Sequence, residues 1–98
     1  MIRNSDVAMR HVYVLLDPRN HKLFYVGKAN DYVARLRQHC KPSGVTKREN
    51  RIREIIADGQ FPVMRVITSV MCTEAQILEV ERNVINHAKE LTYLENDR

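Results

Sequence analysis

The spacing of apolar residues along this chain changes several times, and each change marks an element. Residues 11–16 are rich in Val, Tyr and Leu, and residues 23–26 (Leu-Phe-Tyr-Val) repeat that character, which suits two short strands. Between them Asp17-Pro18-Arg19-Asn20-His21 supplies turn-forming Pro and Asn, predicting a hairpin with a loop of about five residues. In that register Leu16 faces Lys22, Leu15 faces Leu23, and Tyr13 faces Tyr25. Both tyrosines then stand on one sheet face, whereas a slip of one residue would separate them.

Gly27 ends the second strand, and Asn30 or Asp31 can cap a helix running to about Cys40. Val33, Leu36 and Cys40 form its apolar stripe, with Tyr32, Arg35 and His39 on an adjacent face. Pro42, Ser43 and Gly44 then break the chain. Thr46 with Glu49 makes a capping box for a second helix, with Ile52, Ile55 and Ile56 inward and Gly59 as its stop. Residues 61–70 read as a third strand, with Pro62 near its start, where an edge position tolerates it. Thr73 with Gln76 caps a last helix to about Leu91. The order is β-β-α-α-β-α, an α+β chain without repeats or low-complexity segments. Residues 1–10 read as a polar lead-in, 11–93 as one domain and 94–98 as a tail.

The last helix carries the main physical anomaly. Ile77, Leu78, Val84, Ile85, Ala88 and Leu91 form a core-facing stripe at helical period, and Glu81 sits in its middle. Glu79 falls instead with Arg82, Asn83 and Asn86 on the polar side. A carboxylate aimed at a core is costly unless it is paired or bound to a metal. Glu81 is therefore the catalytic candidate and Glu79 is not. A buried pair with Arg35, or a place at the stripe's edge, is the structural alternative.

Charge sharpens the picture. Residues 1–53 hold 12 Lys/Arg and 4 Asp/Glu, a net +8, while residues 54–98 hold 4 and 8, a net −4, together the +4 of the chain. A basic half beside an acidic half fits an anionic partner on one face, most simply nucleic acid. Cys40 and Cys72 lie far apart with no CxxC pairing, which argues against a structural zinc site or a disulfide framework and fits reduced thiols. The first six residues lack an apolar signal region, and no run approaches the ~18 apolar residues of a membrane span. A cytoplasmic protein is expected, or a nuclear one in a eukaryote, without a membrane partner.

Val12-Tyr13, then Tyr25-Val26-Gly27-Lys28, then Arg35 ten residues after Tyr25, then a glutamate on a late helix resemble the GIY-YIG nuclease domain superfamily. The likeness covers nearly the whole chain, and the Asp17-Pro18 turn is similar to the branch whose hairpin contains Asp-Pro. It implies a small three-stranded antiparallel sheet flanked by three helices. It implies a metal-dependent DNA endonuclease, hence a DNA-binding hydrolase of DNA repair or of a mobile element. One divalent cation, Mg²⁺ or Mn²⁺, would be held by Glu81, supported by Ile85 one turn on.

Carried over, the catalytic candidates are Tyr13, Tyr25, Arg35, His39 and Glu81, with Lys28, Arg35 and Arg37 against nucleic acid. Arg35 clamps the phosphate, since guanidinium matches its geometry. A metal on Glu81 would polarise the phosphate and stabilise the leaving 3′ oxygen. Tyr13 orients or deprotonates the attacking water, which requires Lys28, Arg35 or the metal to lower its pKa from about 10. Tyr25 shares that role or positions the water, and His39 relays protons with an unperturbed pKa near 6.5.

Two departures stand out. His11 occupies the first motif's usual glycine, and Tyr93 stands where the family often has asparagine, with Asn96 three residues further. The second departure favours the alternative reading, a catalytically inactive module that binds nucleic acid or another protein. A small-molecule enzyme is disfavoured, since no Gly-rich phosphate loop is present. Substrate choice is expected to come from the domain itself or from a targeting domain or partner protein.

Overall fold

The computed structural model describes residues 6–91, with side chains described through Glu90. The elements follow the order β1 (Ala8–Asp17), β2 (Lys22–Ala29), α1 (Tyr32–His39), α2 (Lys47–Ala57), β3 (Val63–Cys72) and α3 (Glu74–Leu91). The strands form one antiparallel sheet in the order β2-β1-β3, so β1 is central. This is the α+β arrangement expected.

Alternation along β1 builds two cores. Val12 and Val14, with Val26 of β2, pack against Ile77, Ile85 and Ala88 of α3. The intervening Tyr13 and Leu15 join Phe24, Ala29 and the α2 residues Ile52 and Ile55 in a second cluster. A central strand buried on both faces explains the near-continuous apolar run at residues 12–15.

The caps follow the sequence. Asp31 accepts from the Ala34 N–H and starts α1, and Gly59 (φ 78°) ends α2 in the left-handed region. Thr46 and Glu49 form the reciprocal box of α2, and Thr73 with Gln76 does the same for α3. Replacing Thr46 by Ala is expected to cost about 1 kcal/mol, read as a lowered Tm, without changing the fold.

Four expectations are corrected. First, the hairpin register differs: Asp17 pairs with Lys22, Leu16 with Leu23, Leu15 with Tyr25 and Tyr13 with Gly27. The Asp17 carboxylate accepts from the Arg19 backbone N–H and its guanidinium, which keeps Asp17 in the strand and shortens the loop. That change alone would put the tyrosines on opposite faces. A bulge at Phe24 shifts the pairing once more, so Tyr13 and Tyr25 do share a face, as diagonal neighbours. Second, β1 begins at Ala8, where residues 8–10 pair with 70–72 of β3. For the same reason β3 runs Val63–Cys72 rather than over 61–70. Third, α1 turns otherwise than its periodicity implies: Val33 is half exposed while His39 is buried. Fourth, Leu78 lies at the exposed margin of α3, and Val80 packs on the core instead.

Candidate active site

The shared face of β1 and β2 and the end of α1 converge on one aromatic cluster. Tyr13 is fully buried, and its ring lies over Gly27, leaving no room for a Cβ there. The Tyr13 and Tyr25 ring centroids are 6.2 Å apart, and His39 sits 5.8 Å and 5.5 Å from them. The Tyr13 hydroxyl and His39 Nε2 are hydrogen-bonded at 2.7 Å. α1 is only eight residues long, so its orientation is set by this contact more than by an apolar stripe.

Burial dominates the electrostatics. It pushes the His39 pKa down to about 4, reinforced by Arg48 and Arg35 and opposed by Glu49. His39 is thus neutral at pH 7, well below the ordinary value near 6.5. Burial also pushes Tyr13 well above the ordinary phenol range, with Tyr25 and Glu81 adding to the rise and Arg35 and Arg48 opposing it. Arg35 does lower Tyr13, as expected, but desolvation outweighs it and Arg48 together.

Arg35 is exposed on α1 and lines two adjoining clefts. One, of about 380 Å³, also has Lys28, Asn30, Gln38 and Glu74 in its wall. Lys28 is ion-paired there with Glu74, which also holds Arg10 at 2.7 Å. The other, of about 120 Å³, is walled by Gln38, His39, Lys41, Ser43 and Arg48. Arg37 is exposed and lines neither. A larger gap of about 1110 Å³ lies between the sheet and α3, but its lining is mainly apolar and includes none of the expected site residues.

Arg48 escaped the sequence reading. Its guanidinium lies 4.9 Å from the Tyr25 ring centroid, and its charge acts on both Tyr13 and His39. The available signal was a cation in the first turn of a helix, where the helix dipole disfavours it.

Glu81 is 1% exposed, whereas Glu79 is on the exposed side. The Glu81 charge acts on the Tyr13 hydroxyl, although Glu81 lines neither polar cleft. Tyr93 and Asn96 lie outside the described residues.

This arrangement can be set beside known proteins. A family model described as the GIY-YIG catalytic domain matches residues 9–94. The chain belongs to that family. No curated protein and no solved structure matches significantly. GIY-YIG domains are nucleases, generally endonucleases, and generally require a divalent metal. In this GIY-YIG chain, no helix among the described residues is long and apolar enough to cross a membrane.

Among the described residues no group of three His, Cys, Asp or Glu could hold an ion. A single hard carboxylate fits Mg²⁺, which keeps much of its water and shares phosphate oxygens.

Proposed function

We propose that this domain is a metal-dependent DNA endonuclease whose attacking water is deprotonated through the Tyr13–His39 pair. The observation carrying this reading is the buried 2.7 Å contact between the Tyr13 hydroxyl and the His39 ring nitrogen. A neutral His39 with Nε2 unprotonated would accept the Tyr13 proton as the hydroxyl oxygen takes one from water, which requires water to reach the buried hydroxyl and the negative charge of the bound phosphate to raise His39 from about 4. The raised Tyr13 pKa means that the phenol holds its own proton until that moment. No standing tyrosinate is needed.

Arg35, exposed and adjacent to this pair, holds the scissile phosphate as a fixed cation. Tyr25, stacked under Arg48, positions the water against the Tyr13 hydroxyl. Glu81 would hold Mg²⁺ or Mn²⁺, which when bound neutralises charge on the phosphate and the leaving 3′ oxygen. Because Glu81 is covered, that role requires its carboxylate to become accessible when metal and DNA bind. Lys28 and Arg37 are assigned to the DNA backbone, Lys28 exchanging Glu74 for phosphate.

Incubating the protein with supercoiled plasmid and with flap and branched oligonucleotides tests this reading. Cutting is expected with Mg²⁺ or Mn²⁺ and not in EDTA. Arg35→Ala should lower the rate by about 10²–10³, the size of removing one transition-state charge contact. No cutting of any substrate would contradict the proposal. The preferred substrate would separate a repair role from a mobile-element role.

A further inference from the structure

The smaller polar cleft has features that the water-activating pair does not use. It is bounded by Arg35, Gln38 and His39 at the end of α1, by Lys41, Pro42 and Ser43 in the connecting loop, and by Arg48 at the start of α2. Three of these residues are cations, and Ser43 and Gln38 are neutral donors of the kind that contact phosphate oxygens. Its one carboxylate, Glu49, is engaged elsewhere: it accepts from the Gly44 N–H at 2.6 Å and from the Thr46 hydroxyl at 2.8 Å. Those bonds hold Glu49 well below the usual carboxylate range, at about 2. The cleft therefore carries a net positive charge.

The cleft is built rather than incidental. The connecting loop is fixed by the Glu49 contacts to Gly44 and Thr46, and Arg53 donates to the Pro42 carbonyl at 3.4 Å. Arg48 is held in part by stacking on Tyr25. A cation in the first helical turn costs about 0.3–1 kcal/mol against the dipole, so its placement does not serve α2. Arg35 and Gln38 line this cleft and its larger neighbour alike, so groups bound in the two lie side by side.

We propose that this cleft is a second phosphate site, in which Arg48 and Lys41 hold the DNA backbone phosphate next to the one at Arg35. The inference rests on the nuclease reading only in taking DNA as the ligand. Glu81, the candidate metal ligand, does not line the cleft. The role of the cleft is to fix the register of the strand.

Binding of a short DNA duplex in EDTA, measured over a range of salt concentrations, tests the site apart from cleavage. Arg48→Gln and Lys41→Gln should each lower the slope of log K against log[salt] by about one and weaken binding roughly tenfold near 0.1 M salt. Arg48→Lys should keep the slope. Arg82→Gln, which removes an equal charge from the exposed side of α3, should leave it unchanged. Lys41 is exposed, so its variant reads the site even where Arg48→Gln fails to fold. Unchanged slopes in both cleft variants, or an equal fall with Arg82→Gln, would overturn the proposal. Wild type that binds without cutting in Mg²⁺, with slopes lowered in the cleft variants, would sustain the site and remove the nuclease reading. Wild type that cuts, with slopes unchanged, would do the reverse, and absence of DNA binding would overturn both.

Discussion

Gly27→Ala is expected to abolish cleavage and to destabilise the protein by about 1–3 kcal/mol, the range for overpacking a core. A Cβ on Gly27 would lie 2.5 Å from Cζ of Tyr13, against its hydroxyl, and 2.8 Å from Cε2 of Tyr25. Neither ring is the far end of a flexible side chain, and Tyr13 is buried on every side. The ring must therefore swing away, and that breaks the bond to His39. The glycine is required for close approach of the tyrosine and not for backbone conformation, because the left-handed glycine among the described residues is Gly59. Tm and plasmid cleavage read the two effects. A variant with wild-type activity would show that the Tyr13 ring need not lie where it does.

Removing only the hydroxyl should have a comparable effect on rate. Tyr13→Phe keeps the ring and its packing, and is expected to lower cleavage by about 10²–10⁴, the usual range for losing a positioned acid–base group. Stability should fall by about 1–2 kcal/mol, because His39 loses a buried partner.

The same pair gives a pH dependence of stability. His39 titrates at about 4 in the folded protein and at about 6.5 when unfolded. Between those values the unfolded chain holds a proton that the folded one does not, so stability rises with pH across this window. The contribution is complete above about 6.5 and lost on acidification toward 4, amounting to about 3 kcal/mol. Denaturant unfolding at pH 4.5, 5.5, 6.5 and 7.5 should show this slope in wild type and a flatter one in His39→Gln. An unaltered slope in the variant would assign the effect elsewhere.

Much of the fold was legible because its punctuation is local. Thr46 with Glu49, Thr73 with Gln76, Asp31 and Gly59 act within one turn of themselves, and each marks a helix boundary in the fold. The burial of Glu81, and the exposure of Glu79, followed from helical period alone. What period could not supply was anything set by contacts distant in sequence. The hairpin register depends on how Arg19, and Arg51 from α2, engage the Asp17 carboxylate, and on a bulge that no turn rule locates. The face that α1 buries is chosen by two tyrosines on other strands, so a histidine displaced a valine. Arg48 went unnoticed because its partner, Tyr25, lies 23 positions away.

The proposed function requires the buried Glu81 to serve chemistry and not packing alone. The direct measurement is cleavage of supercoiled plasmid in Mg²⁺ by wild type and Glu81→Ala, with binding of both proteins to the same DNA measured in EDTA. Metal-dependent cutting is expected, lost by at least a hundredfold in the variant, with DNA affinity little changed. Equal cutting by both proteins, or salt-sensitive binding without cutting by either, would contradict the proposed function, and the second result would identify a binding module built on a nuclease fold.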